Sequence, residues 1–270
     1  MEYETARGVR VPAVGLGTYE LRGRAGVRAV RRALDLGYRH LDTAELYENE
    51  TAVGTALGES PVDREAVFLT TKVWKTNLAR DDVLASGRRS AEKLGVDTID
   101  LLLIHAPSRS IPIPETIGAM NDLQAEGTVR HVGVSNFSVD QLRTAMDASE
   151  TPILTNQVEY NPYEDRSALL EFCLEHDVLL TAYSPLAKGK VAKDGTLTEL
   201  GERYGKTGAQ VALRWLVQQP NVVAIPKAGG EDHLRENLDV FDFALTDDEM
   251  TTVAELGGGP IDRLRSLLDF

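Results

Sequence analysis

The chain has one cysteine, Cys173, in 270 residues, so it has no internal disulfide and lacks the paired thiolates of a CxxC metal or redox motif. A reducing compartment fits. No uninterrupted apolar run reaches the length of about 18 residues that a membrane-spanning helix needs. Lysine is scarce: 8 Lys stand beside 21 Arg, while Asp and Glu total 42, for a formal net charge of −13. So acidic a chain argues against nucleic acid as its main partner, because phosphate binders present a basic face. The same skew would keep a surface hydrated in concentrated salt, as in a halophile; an ordinary soluble acidic surface is the alternative. The start MEYETARG does not read as a secretory signal, so the expected location is the cytoplasm, with no membrane attachment. The five histidines, His40, His105, His131, His176 and His233, show neither HxH nor HExxH spacing, and no metal site is expected.

What is present is a globular pattern: 42% hydrophobic and 26% charged residues, with glycine and proline spread along the chain, which rules out a disordered or collagen-like protein. Apolar runs recur at 14–17, 38–42, 67–73, 99–105, 131–136, 153–160, 178–184 and 222–227. They alternate with amphipathic segments, as a buried parallel sheet with crossover helices should. Ser138 with Gln141, Thr207 with Gln210 and Thr246 with Glu249 have capping-box spacing. Val27, Val30 and Leu34, like Leu169, Phe172 and Cys173, recur at helical intervals, which makes Cys173 a core residue rather than a nucleophile. Eight strand-helix units predict an α/β fold, a (β/α)8 TIM barrel in one domain over 1–270, with a short N-terminal β-hairpin and an extra C-terminal helix. The competing open sheet with a GxGxxG fingerprint fails, since Gly15 and Gly17 are followed by Glu20.

Barrel chemistry sits at the carboxyl ends of strands, and there the apolar runs turn polar. Asp42, Lys72, His105, Ser135 with Asn136, Gln157, Tyr183 with Ser184, and Lys227 stand at or just past those ends. Asp42 and Lys72 end adjacent strands, so their opposite charges can meet in a partly buried site where either alone would be costly. Tyr47 follows five residues after Asp42, within reach of such a lysine. A nearby ammonium is expected to lower the phenol's pKa, making it a proton donor and acceptor near neutral pH. His105 adds a ring able to orient a substrate oxygen.

The segments GLGTYE, LDTAELYENE, TTKVW, LLLIHAP, VGVSNF, NQVEYNPY, AYSPL, AIPKA and ENLDVFDF closely resemble the aldo-keto reductase family, short prokaryotic type, over essentially the whole chain. The resemblance implies a catalytic tetrad of Asp42, Tyr47, Lys72 and His105. It further implies an enzyme that passes hydride between NADP(H) or NAD(H) and a small carbonyl substrate, such as an aldehyde, dicarbonyl or keto-sugar, without a metal. A slow-turning, nicotinamide-binding regulatory subunit is the alternative. Cofactor contacts are implied for Gly17, Thr18, Asp42, Ser135, Asn136, Gln157 and Tyr183 near the ribose and nicotinamide. Ser184, Pro185, Leu186 and Gly189 are implied at the pyrophosphate, and Glu236 and Asn237 at adenine. Substrate walls are expected from Tyr19, Tyr47, Trp74, His105 and Ala106.

The chain departs from the family where the 2'-phosphate of NADP would bind. Lys227, Ala228 and His233 stand there instead of Lys, Ser and Arg, so one hydroxyl and one guanidinium fork are missing. Use of NADH beside NADPH is the expectation. Ala106 replaces an aromatic residue, which should widen the pocket; Ser108 to Pro114 reads as a flexible rim. The tail GGGPIDRLRSLLDF is shorter than the substrate loop of larger family members, which points to a more open site. A monomer is expected.

Overall fold

The computed structural model of the chain describes residues 2–258. The short tail read as pointing to a more open site therefore lies, from residue 259 onward, outside the described residues. An antiparallel hairpin comes first, β1 (Tyr3–Ala6) and β2 (Val9–Pro12). Arg7 and Gly8 form its two-residue turn, both with positive φ (53° and 76°), the geometry that matches the twist of paired strands.

Eight further strands follow: β3 (Leu16–Gly17), β4 (His40–Asp42), β5 (Phe68–Val73), β6 (Ile99–Ile104), β7 (Val129–Ser135), β8 (Ile153–Glu159), β9 (Leu179–Tyr183) and β10 (Val222–Ala224). Each apolar run of the sequence contributes one of them. Helices alternate with them: α1 (Gly23–Asp35), α2 (Glu50–Gly58), α3 (Arg80–Leu94), α4 (Ile113–Ala125), α5 (Val139–Ala148), α6 (Ser167–Glu175), α7 (Gly195–Tyr204), α8 (Gly208–Val217), α9 (Glu231–Leu238) and α10 (Asp247–Glu255). The three capping boxes form as read, at Ser138, Thr207 and Thr246, and fix the starts of α5, α8 and α10. Helix α10 is the expected C-terminal helix.

The eight strands make one sheet in chain order, β3 to β10. The chain just ahead of β3 also pairs with β10, through a parallel bridge between Val14 and Ala224. Gly15 N–H donates to the Ala224 carbonyl at 2.8 Å, and Ala224 N–H to that of Ala13 at 2.8 Å. This is the (β/α)8 barrel that strand counting predicts. All six residues of β6 are buried, as a strand covered on both faces requires. On β7, Gly133 is obligatory: a Cβ there would lie 2.7 Å from Leu103 Cδ2 and 2.9 Å from the Thr155 carbonyl oxygen.

Residues group into two compact units. One comprises Leu16–Gln157 with Lys227–Glu231, and the other the remaining described residues. In the first, register aligns the strand ends: Gly17 pairs with Asp42 and Ser135 with Gln157. In the second, the buried Tyr160 hydroxyl donates to Gln219 at 2.6 Å, and Trp215 Nε1 donates to the Met250 carbonyl at 3.1 Å, locking α8 to α10. Cys173 is buried on α6 and its thiol is pushed up to about 12 by burial, as suits a core residue. The segment read as a flexible rim, Ser108 to Pro114, holds a local turn and the start of α4. Ser108 Oγ accepts from the N–H groups of Ser110 and Ile111, and α4 begins at Ile113. A serine can organise its own turn, which composition alone does not reveal.

Candidate active site

Asp42, Tyr47, Lys72 and His105 all lie in the first unit and come together there. Asp42 closes β4, Lys72 is the penultimate residue of β5, and His105 follows the last residue of β6, its N–H donating to the Val73 carbonyl at 3.0 Å. Tyr47 ends a short 3-10 turn, Glu45–Tyr47, just past β4. Lys72 Nζ donates to Asp42 Oδ1 at 2.5 Å, to the Thr43 carbonyl at 2.8 Å and to Tyr47 Oη at 3.4 Å. All three ammonium protons are thereby placed. The side chains of Lys72 and Asp42 are 0% and 1% exposed, so the ion pair is fully out of water. Asp42's other oxygen, Oδ2, accepts from Gln157 Nε2 at 2.7 Å.

Around this pair stand four aromatic rings edge to face. Tyr19 and Tyr47 centroids are 5.2 Å apart, Tyr47 and His105 5.7 Å, and Trp74 and His105 4.9 Å. Tyr19 is 52% exposed and Trp74 and Ala106 are half-buried, so these three of the five expected substrate walls reach solvent rather than lying in the core. Leu46, beside Tyr47, is a further exposed apolar group that the sequence does not single out.

Electrostatically the site departs from expectation at one point. Burial pushes the Tyr47 phenol above its ordinary value; the Lys72 ammonium pulls it down, Asp42 adds to the rise, and the balance is upward. The expected lowering is therefore overturned: the lysine acts in the anticipated direction, but loss of water around the phenol outweighs it. Lys72 itself is raised, because the pull of Asp42 and Tyr47 exceeds the burial that opposes its charge. His105 is lowered to about 3, by burial first and the lysine second, so its ring is neutral at ordinary pH. Its buried Nδ1 has no hydrogen-bond partner among the described residues.

Of the residues implied for a nicotinamide cofactor, Gly17, Thr18, Asp42, Ser135, Asn136, Gln157, Lys227 and Ala228 lie in the first unit. Thr18 is held by its N–H and hydroxyl, both donating to the Asp42 carbonyl at 2.9 Å. Ser135 Oγ donates to the Gln157 carbonyl at 2.8 Å. Asn136, in a left-handed conformation (φ 61°), donates to the His105 carbonyl at 2.9 Å and to Ser135 Oγ at 3.1 Å. Lys227 Nζ is paired with Glu20 at 2.6 Å, and Ala228 is buried.

The other implied residues, Tyr183, Ser184, Pro185, Leu186, Gly189, His233, Glu236 and Asn237, belong to the second unit. Ser184, Ala187, Lys188 and Gly189 all carry positive φ (49°, 46°, 54° and 88°), so the loop after β9 is a strained run of backbone. Gly189 is required by that conformation rather than by crowding, since nothing lies within 4 Å of where its Cβ would be. His233 Nδ1 is 3.2 Å from Glu236 Oε2. Asn237 is buried with its amide Nδ2 unsatisfied among the described residues. A buried orphan donor calls for an acceptor, and ring nitrogens of an adenine are of that kind. The Asn237 amide thus suits an adenine.

Three residues escaped sequence reasoning. Thr43 offers its carbonyl to Lys72. The buried Asn49 accepts from Thr43 Oγ1 at 2.7 Å and donates to the Thr18 carbonyl at 2.8 Å, tying together the loops after β3 and β4. Glu45 accepts four donors from three segments. The only available signal was their place within DTAELYENE.

The Aldo/keto reductase family model matches residues 13–257. The chain is 43% identical over 247 residues to the 2,5-diketo-D-gluconic acid reductase B of Corynebacterium sp. (strain SHS752001), covering 91% of this chain and 89% of that one. To the methylglyoxal reductase DkgB of Escherichia coli O157:H7 it is 36% identical over 249 residues, covering 91% and 93%. The crystal structure of the thermostable aldo-keto reductase Tm1743 superposes with a TM-score of 0.90 at 40% identity, over 95% of this chain and 100% of that one. With a matching family model, reductase relatives along nine-tenths of its length and the barrel they share, the chain belongs to the aldo/keto reductase family and is an NAD(P)H-dependent oxidoreductase.

Proposed function

We propose that the chain reduces the carbonyl of small aldehydes, dicarbonyls or keto-sugars, with Tyr47 as general acid. The observation that carries this reading is the buried chain Asp42–Lys72–Tyr47, with the ammonium 2.5 Å from the carboxylate and 3.4 Å from the phenol oxygen. Nicotinamide, when bound in reduced form, supplies a hydride to the carbonyl carbon. Tyr47 Oη gives its proton to the carbonyl oxygen, and the phenolate left behind is stabilised by the fixed Lys72 ammonium. Asp42 holds that ammonium in place and offsets its burial. His105, being neutral, donates an N–H hydrogen bond that orients the carbonyl oxygen without competing for the proton. Tyr19, Trp74 and Ala106 wall the substrate, and two relatives named for diketogluconate and methylglyoxal reduction are in keeping with compact polar carbonyls.

The nicotinamide and its ribose are assigned to Gly17, Thr18, Ser135, Asn136, Gln157 and Tyr183, the pyrophosphate to the loop Ser184–Gly189, and adenine to Glu236 and Asn237. Both NADH and NADPH are accepted. Lys227 is already paired with Glu20, His233 Nδ1 lies 3.2 Å from Glu236 Oε2, and Ala228 brings no hydroxyl. The family match spans both compact units, which supports one domain; a monomer in the cytoplasm completes the reading.

Loss of absorbance at 340 nm with methylglyoxal and either cofactor tests the reaction, and Tyr47→Phe tests the acid. Removing the hydroxyl while keeping the ring should lower kcat about 10²-fold or more and leave cofactor affinity unchanged. Activity near wild type in Tyr47→Phe would sink the tyrosine's role; tight cofactor binding with a single slow turnover would favour a regulatory subunit instead.

A further inference from the structure

We propose that Glu45 is a positioning residue that fixes the turn bearing the catalytic tyrosine onto the end of the lysine strand, an inference that rests on the reductase reading above. Glu45 opens the turn that Tyr47 closes, and its side chain is 12% exposed. Its Oε2 accepts the backbone N–H of Trp74 at 3.0 Å. Its Oε1 accepts from Asn77 Nδ2 at 2.9 Å and Ser86 Oγ at 3.2 Å, and pairs with the Arg89 guanidinium. One carboxylate therefore gathers donors from three places: two residues beyond Lys72, the loop after β5, and one face of α3, where Ser86 and Arg89 stand three residues apart.

The need for such a clasp follows from the rest of the site. Lys72 and Asp42 sit at strand ends and are held by the sheet, whereas Tyr47 sits on a three-residue turn. Its backbone is otherwise tied by its own N–H to the Ala44 carbonyl at 3.0 Å and by the exposed Arg22, whose Nε donates to the Tyr47 carbonyl at 3.0 Å. The Lys72–Tyr47 contact, at 3.4 Å, is the longest of the lysine's three, so any slack in the turn appears there first. Through Trp74 the same carboxylate also bears on His105, whose ring packs 4.9 Å from the indole. A carboxylate suits the place because every group facing it is a donor; a glutamine would turn an NH2 toward one of them. Hydrogen bonds from Trp74, Arg89 and Asn77, with the Arg89 charge, outweigh the burial that would otherwise raise its pKa, so Glu45 stays ionised.

The test compares wild type, Glu45→Gln and Glu45→Ala in kcat for methylglyoxal, cofactor Kd, solvent isotope effect and hydrogen exchange over residues 44–49. Because displacement of a reacting group by about 1 Å can cost about 10²-fold, the alanine variant should lose about 30-fold or more in kcat. Glutamine, which keeps one acceptor, should fall between. Cofactor Kd should hold, exchange at 44–49 should quicken, and the isotope effect should rise as proton transfer becomes limiting, a shift that lost stability alone would not produce. If kcat stays within about threefold of wild type in Glu45→Ala with exchange unchanged, the clasp is refuted. It is equally refuted if kcat and cofactor affinity fall together with Tm and the isotope effect does not move. Should Glu45→Ala not fold, Glu45→Gln carries the same readouts. A wild type that reduces no carbonyl overturns the reductase reading, and exchange at 44–49 then decides the clasp on its own.

Discussion

Replacing Lys72 by methionine keeps the side chain's length and removes its charge, and the structure says what is then left unpaired. Asp42, 1% exposed, loses its ion-pair partner and retains only the Gln157 amide; the Thr43 carbonyl and the Tyr47 hydroxyl each lose a donor. Removing one member of a buried ion pair costs about 3–5 kcal/mol, because a carboxylate remains out of water without compensation. For a chain of this size each kcal/mol shifts Tm by about 2–4 °C, so Lys72→Met should melt roughly 6–20 °C below wild type at pH 7. The double variant Asp42→Asn with Lys72→Met removes the orphaned anion and should be more stable than Lys72→Met alone, a non-additivity that marks direct coupling. Circular dichroism melts of the four proteins suffice. A Lys72→Met midpoint within about 2 °C of wild type, or a double variant whose loss equals the sum of the single losses, would refute the coupled buried pair.

Two further predictions follow from charge. With a folded pKa near 3, below the unfolded value of about 6.5, His105 is neutral through the working range, and its share of stability is present above about pH 6.5 and fades as pH falls toward 3. The pH profile of kcat/KM should accordingly show no inflection near 6.5; one that appears there and vanishes in His105→Asn would overturn the neutral-ring assignment. Freeing Lys227 by Glu20→Gln, alone or with Ala228→Ser to restore a hydroxyl, should move the NADPH/NADH ratio of kcat/KM toward NADPH. Since the Lys227–Glu20 pair is exposed, the single change should be worth only about twofold to fivefold and should shrink in molar salt. An unchanged ratio in both variants would place the phosphate contact elsewhere.

How far the sequence could be read depended on whether a property was local or assembled. Buried parallel strands must be apolar along their length, so a lysine or aspartate ending such a run stands out, and Asp42, Lys72 and His105 could be found before any coordinates. The capping boxes were legible for the same reason, since each lies within four residues. Glu45 and Asn49 were not: apart from Thr43, six residues from Asn49, the donors and acceptors that give them meaning lie 28 to 44 positions away in the chain. The phenol's ionisation belongs to the same class. A lysine close to Tyr47 was inferable, and the direction of its pull was right, but the depth at which the ring sits was not written in the spacing of either residue.

The raised phenol alters the division of labour in the proposed reaction. If the lysine merely ionised the tyrosine at rest, the proton needed by the carbonyl oxygen would already be gone at neutral pH. Burial keeps that proton on Tyr47, while the ammonium, held by Asp42 and Thr43, waits beside the oxygen that becomes negative when the proton leaves. The same two effects that oppose each other in the resting pKa then act in sequence: water exclusion retains the acid, and the fixed cation stabilises its conjugate base as the proton transfers.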